Sequence, residues 1–216
     1  MANSSIEICN KALDLLGHVA DIGNIDNPTT ENEQICARWY NDTLEFLLRR
    51  YVWNFAIKRV KLALDKANTP PFEFTSAYKL PNDFVRLLAI NGRSDFGVLD
   101  FEISNGFILL NSEDAPSVDL KYIHRITDVK KFDTGFTQLF TLYLATNLAY
   151  RFTAKQTVIE RLLKWIELEE AKVVSIDGQE QPPKRIQRSK YGRARRNAST
   201  TWGQYRPVKK TTEETD

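Results

Sequence analysis

The segment that most constrains the fold is residues 136–152, FTQLFTLYLATNLAYRF, in which apolar residues fall on nearly every face of a helix. A helix that is apolar all round is buried in a core or a membrane. A membrane span needs about 20 mostly apolar residues, and this run is shorter and is interrupted by Gln138, Asn147 and Arg151. It therefore predicts a buried core helix, around which other helices pack.

Three amphipathic helices are predicted around it. Capping boxes at Ser4 with Glu7 and at Thr30 with Glu33 precede apolar residues at helical spacing, which predicts helices over about 5–16 and 31–51. A last helix is predicted over about 157–176, ended by Asp177 and Gly178. At two places the helical spacing does not decide which of two neighbouring residues faces the core. These are Trp39 or Tyr40 in the second helix, and Trp165 or Ile166 in the last.

The middle third of the chain changes from the helical period to alternation, which is typical of strands. Val60, Leu62 and Leu64 alternate with polar residues, and further short strands are predicted near 76–80, 84–91, 97–103, 107–111 and 117–125. The dipeptide at 105–106, Asn-Gly, suits the positive φ angles of a type I′ hairpin turn. We therefore expect a small antiparallel sheet here.

Together these elements predict a mainly α protein with a β insertion, in the α+β class. We expect a four-helix bundle with one small antiparallel sheet between helices two and three. The predicted divisions are 1–56 for the first two helices, 57–126 for the β insertion, 127–178 for the last two helices and 179–216 for an extended basic C-terminal arm.

The charge of the chain is unevenly distributed. The net charge is only +2, but residues 184–210 hold ten Lys and Arg and no Asp or Glu, whereas residues 1–183 hold 20 basic and 25 acidic residues. A basic arm next to an acidic body indicates binding to an anionic surface, either nucleic acid or an acidic protein.

A solubilising tail is the simpler alternative for the basic arm. Because the arm also carries aromatic residues that it cannot bury by itself, we favour docking on a partner. Its candidate partner-binding residues are Arg185, Arg188, Lys190, Tyr191, Arg193, Arg195, Arg196, Trp202 and Tyr205.

No residue pattern indicates catalysis or a cofactor. Phosphate-binding and nucleophile motifs are absent, and two histidines and two cysteines would all be needed for one transition-metal site. Carboxylate pairs such as Glu169 with Glu170 are interpreted as solvated helix faces.

Cys9 and Cys36 are expected to be buried free thiols rather than a disulfide. The sequence predicts no enzyme, no metal and no cofactor, and its first residues lack a signal-peptide pattern, which favours a soluble product made in the cytoplasm.

Three stretches, in this order, resemble the head-to-tail adaptor proteins of tailed phages, the tail tubular protein A family and its packaged-DNA-stabilising relatives. The first is Trp-Asn-Phe-Ala at 53–56 followed by Leu-Ala at 62–63, and the second is Tyr-Lys-Leu-Pro-Asn-Asp-Phe at 78–84. The third runs from Tyr-Ile at 122–123 through Arg-Ile-Thr-Asp at 125–128 to Phe-Asp at 132–133 and the core helix. The resemblance covers about residues 5–200.

The resemblance implies a virion structural protein at the head–tail junction. Its relatives form a homo-oligomeric ring of twelve copies beneath the portal protein, carry the next tail component, a nozzle or tail tube, and surround packaged DNA in the lumen. It implies that the arm docks on the portal and that no membrane or small-molecule substrate is bound. One branch of relatives resembles cell-wall hydrolases, but no catalytic pair matches here.

Two functions thus remain open. The first is a structural adaptor, and the alternative is a nucleic-acid-binding protein that uses the basic tail. A DNA binder also needs a basic face on its folded body, which the acidic balance of residues 1–183 disfavours. The free protein is expected to be monomeric or weakly associated.

Overall fold

The computed structural model describes residues 4–18, 22–70, 72–94, 99–111, 115–153 and 155–180. Four α-helices are formed. Their bounds are α1 (Ser5–Leu15), α2 (Glu31–Arg50), α3 (Thr134–Phe152) and α4 (Gln156–Gln179).

The predicted helix starts are confirmed by their caps. The Ser4 hydroxyl accepts a hydrogen bond from the amide of Glu7, and Thr30 and Glu33 form the reciprocal capping box of α2. At the start of α3, the Asp133 side chain accepts from the amides of Gly135 and Phe136. The predicted end of α4 is wrong, because the helix continues through Asp177 and Gly178 to Gln179.

Helix α3 lies at the centre of the helical part, as its all-round apolar sequence predicts. Phe136, Leu139, Phe140, Leu144 and Leu148 on its different faces are all fully buried. It packs against α1, α2 and α4. The arrangement is therefore one buried helix with three others on its surface.

Among the described residues between α2 and α3, six strands form two antiparallel sheets of three strands each. One sheet has the order β1–β6–β3 and the other the order β2–β5–β4. In the second sheet, β4 and β5 join through Asn105 and Gly106, both at positive φ, which confirms the predicted hairpin turn. The strand bounds are β1 (Ile57–Ala63), β2 (Ser76–Lys79), β3 (Phe84–Ile90), β4 (Phe101–Ser104), β5 (Phe107–Leu110) and β6 (Ser117–His124).

The predicted four-helix bundle with one small sheet is wrong. The chain is an α+β fold with four helices flanking two small sheets. Alternation shows which residues are strands, but it does not show how strands far apart in sequence pair. The closing strand β6 pairs with β1, some sixty residues earlier, and with β3. The hairpin of β4 and β5 pairs with β2 instead, and a second sheet results.

The β1–β6–β3 sheet contributes to two hydrophobic cores. On one face, Leu120 and Tyr122 pack with Tyr78 and Ile108 from the other sheet in a sheet core. From its other face, Ile123 and other residues join the helical core. Both faces are used because β6 places successive side chains on opposite sides of the sheet. This sheet therefore joins the helices to the β2–β5–β4 sheet.

Candidate partner-binding surfaces

The nine candidate residues of the basic arm, from Arg185 to Tyr205, lie outside the described residues. Their assignment to partner binding therefore stays a prediction. The surfaces described below belong to residues 4–180.

The histidines have structural contacts. His124 places its Nδ1 at 2.8 Å from the carbonyl oxygen of Ala56, and His18 packs edge-on against Phe152 at 4.9 Å between ring centroids. Across the described ranges, no group of three or more His, Cys, Asp or Glu side chains is arranged to hold a metal ion. No helix in these ranges is long and apolar enough to cross a membrane.

Glu170 was interpreted from the sequence as a solvated carboxylate, and this interpretation is wrong. Its carboxylate lies where α2, α3 and α4 meet and is only 17% exposed. It accepts hydrogen bonds from the hydroxyls of Tyr143, at 3.0 Å, and Tyr51, and it forms an ion pair with Arg50 at 2.9 Å. Burial and the hydrogen bond to Glu170 raise the pKa of Tyr143 to about 12. Donors from α2 and α3 thus converge on one carboxylate of α4, and the cluster joins these three helices.

A second polar cluster fixes one end of the β1–β6–β3 sheet. Asp83 accepts from Lys58 at 2.6 Å and from the hydroxyl of Tyr122 at 2.9 Å, and its carbonyl accepts from the amide of Arg125. Burial by itself would raise the pKa of Asp83, but the hydrogen bonds from Lys58 and Tyr122 outweigh it, and the pKa lies below its ordinary value. The carboxylate is therefore a structural anion at neutral pH.

The three stretches that carry the family resemblance meet where the helices join the sheets. Trp53 is fully buried, and its ring packs against Phe136 at 5.0 Å between centroids. Phe55 packs against Phe132 and Phe136. The backbone amide of Asn54 donates a hydrogen bond of 3.1 Å to the carboxylate of Asp177 on α4. These residues hold the fold together and leave other surfaces for partners.

A groove of about 450 Å³ opens between α1, α3 and α4. Two of its threonines use their hydroxyl protons within α3: Thr137 donates to Asp133 and Thr141 donates to Thr137. Its wall is consequently mainly apolar. The lining residues are Lys11, Asp14, Leu15, Thr134, Thr137, Gln138, Thr141, Leu142 and Trp165.

Exposed apolar side chains continue from this groove along α4. Trp165, Leu168 and Ile176 are 39%, 65% and 62% exposed. At 3.6 residues per turn they fall in one sector of the helix, which borders the buried stripe of Ile159, Leu162, Ile166 and Val173. Lys172 lies in the same sector, between Leu168 and Ile176. We call Trp165, Leu168 and Ile176 the α4 apolar surface.

Helical spacing leaves two pairs of neighbours undecided, Trp39 or Tyr40 and Trp165 or Ile166. The structure buries Tyr40 and Ile166 and exposes Trp39 and Trp165, so both tryptophans are surface residues. Large apolar residues that do not fit the buried stripe of an amphipathic helix are the signal that could have identified them.

Basic side chains lie on the same face of the β1–β6–β3 sheet as Ile123, in a part of that face that is exposed. Val60 and Leu62 face the sheet core, so the alternate residues Arg59 and Lys61 point outward and are exposed. Arg59 is directly opposite Lys121 on β6, an unfavourable pairing of like charges. Lys61 forms an ion pair of 3.6 Å with Asp119.

Comparison with known proteins adds no relative to these observations. No protein-family model matches the chain, and no curated protein matches it.

Proposed function

We propose that the chain is a virion structural protein, a head-to-tail adaptor that assembles into a ring, docks on a portal protein and joins it to the next tail component. The proposal combines the order of the three sequence stretches with one structural observation, the α4 apolar surface. In this proposal the protein turns over no substrate and acts through its contacts.

The α4 apolar surface carries the proposal because exposing it in a permanently free protein is unfavourable. Fully burying one large apolar side chain contributes roughly 1.5–3 kcal/mol. Leu168 and Ile176, at 65% and 62% exposed, leave most of this unrealised, and Trp165, at 39%, leaves part of it. Trp165 and Leu168 lie one turn apart, and Trp165 also lines the mainly apolar groove; exposed apolar patches of this kind mark interaction sites. In the proposed ring a neighbouring copy covers this surface.

The charge distribution supports two different contact surfaces on one subunit. Rings form from heterologous contacts, in which one patch meets a different patch on the next copy. The excess of acidic residues in 1–183 and the ten basic residues in 184–210 supply such a difference. We assign the arm to the portal and the α4 apolar surface to the neighbouring copy.

The test is to mix the purified protein with its candidate portal ring and examine the mixture by electron microscopy. We expect ring-shaped decoration of the portal by the full chain and none by a chain lacking residues 184–216. Leu168→Glu should still bind single portal sites through the arm but give incomplete rings. Ile103→Glu is the matched control, since Ile103 is 41% exposed on β4, and it should decorate like the wild type. Failure of the full chain to decorate the portal would refute the proposal.

Nucleic-acid binding remains the second candidate because of the basic surface at Arg59, Lys61 and Lys121. Their arrangement gives the body a positive face despite its acidic total, and this face could contact phosphates along a duplex. The expected signature is affinity for random-sequence DNA that falls steeply with salt and weakens in Arg59→Gln. Loss of DNA binding in Arg59→Gln, together with no decoration of the portal, would favour this candidate over the adaptor.

A further inference from the structure

The chain contains two Asn-Gly pairs, and both form exposed turns next to strands. Asn91 and Gly92 follow β3, whereas Asn105 and Gly106 join β4 to β5. Both asparagines have a φ angle of 49°, and the two glycines have φ angles of 75° and 79°. The two pairs therefore share their sequence, their exposure and their positive φ angles.

The two turns differ in how the asparagine side chain is held. The Oδ1 of Asn91 accepts a hydrogen bond of 2.9 Å from the backbone amide of Asp119, and the backbone amide of Asn91 donates to the carbonyl oxygen of Asp119 at 2.8 Å. Both bonds attach Asn91 to β6, the central strand of its sheet. Within the described ranges, no hydrogen bond holds the side chain of Asn105.

This difference matters for a reaction that asparagine undergoes in water. The backbone nitrogen of the next residue attacks the side-chain carbonyl carbon and displaces ammonia. A following glycine has no Cβ to obstruct this approach and allows the backbone to rotate. In a folded turn the attack needs a transient rotation of the asparagine, which is a local opening. The hydrogen bonds to β6 oppose this opening at Asn91 and not at Asn105.

The place of the second turn in its sheet also favours opening. Strand β4 lies at one end of the order β2–β5–β4, so among the described strands it pairs with β5 alone. Both β4 and β5 are four residues long. Strand β6, which holds Asn91, is eight residues long and pairs on both sides. The hairpin of β4 and β5 therefore opens at a lower free-energy cost than the turn at Asn91.

We propose that Asn105 is a spontaneous modification site, which converts to a mixture of aspartate and isoaspartate in the native protein, and that the fold protects Asn91 from the same change. The only co-reactant is water. The proposal rests on the two sheets and is independent of the adaptor function.

The reaction balances in two steps without oxidation or reduction. First, the nitrogen of Gly106 forms a bond to the side-chain carbonyl carbon of Asn105, the bond from that carbon to the amide nitrogen breaks, and ammonia leaves. The product is a five-membered succinimide ring. Water then opens the ring at one of its two carbonyl carbons. One opening gives aspartate, and the other gives isoaspartate, in which the main chain runs through the former side chain.

Isoaspartate would disturb the hairpin because it adds one methylene group to the main chain of the turn. The turn fixes the register in which Ser104 pairs with Phe107. It also places the carbonyl oxygen of Gly106 at 2.9 Å from the amide of Leu80, which donates to it. A longer turn moves these groups apart. The modification should therefore loosen β4 and β5 at the end that carries the turn.

The test incubates the full-length protein in its native state at mildly alkaline pH and follows both asparagines by peptide mapping with mass spectrometry. Isoaspartate is identified by enzymatic methylation of its carboxyl group. The peptide of Asn105 should convert first, to both products. The two hydrogen bonds at Asn91 should slow its conversion about tenfold relative to Asn105.

The same incubation in guanidinium chloride is the first control. Unfolding removes the hydrogen bonds to β6, so both Asn-Gly pairs should then convert at similar rates. Asn105→Gly is the matched variant, because glycine suits the positive φ of this turn and carries no amide to lose. Native Asn105→Gly should accept much less methyl group than the wild type.

Hydrogen exchange measures the effect on the hairpin. In the converted wild type the amide of Leu80 should exchange faster than before incubation, and in incubated Asn105→Gly it should not change. Equal native rates at the two asparagines, or an intact Asn105 under conditions that convert the unfolded chain, would overturn the proposal. Methylation of Asn105→Gly at the wild-type level would also overturn it. Unchanged exchange at Leu80 in the converted protein would overturn the loosening of the hairpin.

Discussion

At the scale of single residues, Glu33 shows how one side chain can organise a loop and a helix together. Its carboxylate accepts hydrogen bonds from the backbone amides of Gly23, Asn24, Thr29 and Thr30. It thereby completes the capping box of α2 and fixes the loop that precedes it. Hydrogen bonds from Thr30 and Thr29 lower the pKa of Glu33 to about 2, although burial opposes them.

Glu33→Gln should lower Tm by several degrees at pH 7, because an amide cannot accept all of these hydrogen bonds. The pKa of Glu33 is lower in the folded state than in the unfolded state, so its stabilising effect is complete above about pH 4.5 and is lost as pH falls to about 2. The difference in Tm between wild type and variant should shrink over this range. Thermal unfolding followed by circular dichroism measures it.

Glu31→Gln is the matched control, since Glu31 lies in the same helical turn but is 71% exposed in its pair with Arg151. Its effect on Tm should be small at every pH. A Glu33→Gln effect that stayed constant from pH 7 to pH 2 would contradict the assigned pKa.

At the scale of elements, the helices are held by close packing and by one shared carboxylate. Gly135 near the start of α3 lies against Val173 of α4, and a Cβ at this glycine would lie 2.8 Å from a Val173 methyl carbon. One turn earlier on α4, Glu170 accepts hydrogen bonds from α2 and α3. Both contacts set how α4 sits on α3.

Gly135→Ala should destabilise the protein by about 1–2 kcal/mol, because overpacking outweighs the gain in helix propensity. Urea unfolding measures the loss, and Val173→Ala in the same chain should restore part of it. Gly178→Ala is the control. Nothing lies within 4 Å of a Cβ placed at this position, so the higher helix propensity of alanine should make the substitution neutral or slightly stabilising. A stabilising Gly135→Ala would mean that the two helices separate easily.

Glu170→Ala should cost about 1–3 kcal/mol, because Tyr51, Tyr143 and Arg50 lose their shared acceptor. Glu169→Ala, which removes only an (i, i+3) pair with Lys172, should change stability by less than about 0.5 kcal/mol. Urea unfolding of both variants tests whether neighbouring glutamates differ as the structure requires. Equal losses would contradict the role assigned to Glu170.

At the scale of the whole molecule, the β1–β6–β3 sheet couples the two cores of residues 4–180. Leu120 belongs to the sheet core, while Ile123 on the same strand and Trp53 belong to the helical core. Damage to one core should therefore weaken the other.

Leu120→Ala should destabilise the protein by about 2–5 kcal/mol. It should lower the unfolding midpoints of the helices and of the surroundings of Trp53 together. Far-ultraviolet circular dichroism and tryptophan fluorescence should give coincident transitions. Ile103→Ala, at an exposed position of β4, is the control and should change little. Midpoints of both probes that stay at the wild-type value in Leu120→Ala would show that the sheets unfold independently of the helical core.

Local patterns in the sequence were sufficient to identify the elements themselves. The capping boxes at Thr30 and Ser4, the apolar residues on every face of α3 and the Asn-Gly turn each depend on atoms within a few residues. Burial of both cysteines followed in the same way from the helical period. These features were predictable because short-range sterics and hydrogen bonds determine them.

Only the tertiary structure decided how the elements combine. Strand pairing between β1 and β6 places residues together that are distant in sequence, and this produced two sheets where one was predicted. It also gave Glu170 its donors and exposed Trp165 while burying Ile166. Each outcome depends on which surfaces meet across the core, and side-chain spacing within one element does not carry that information.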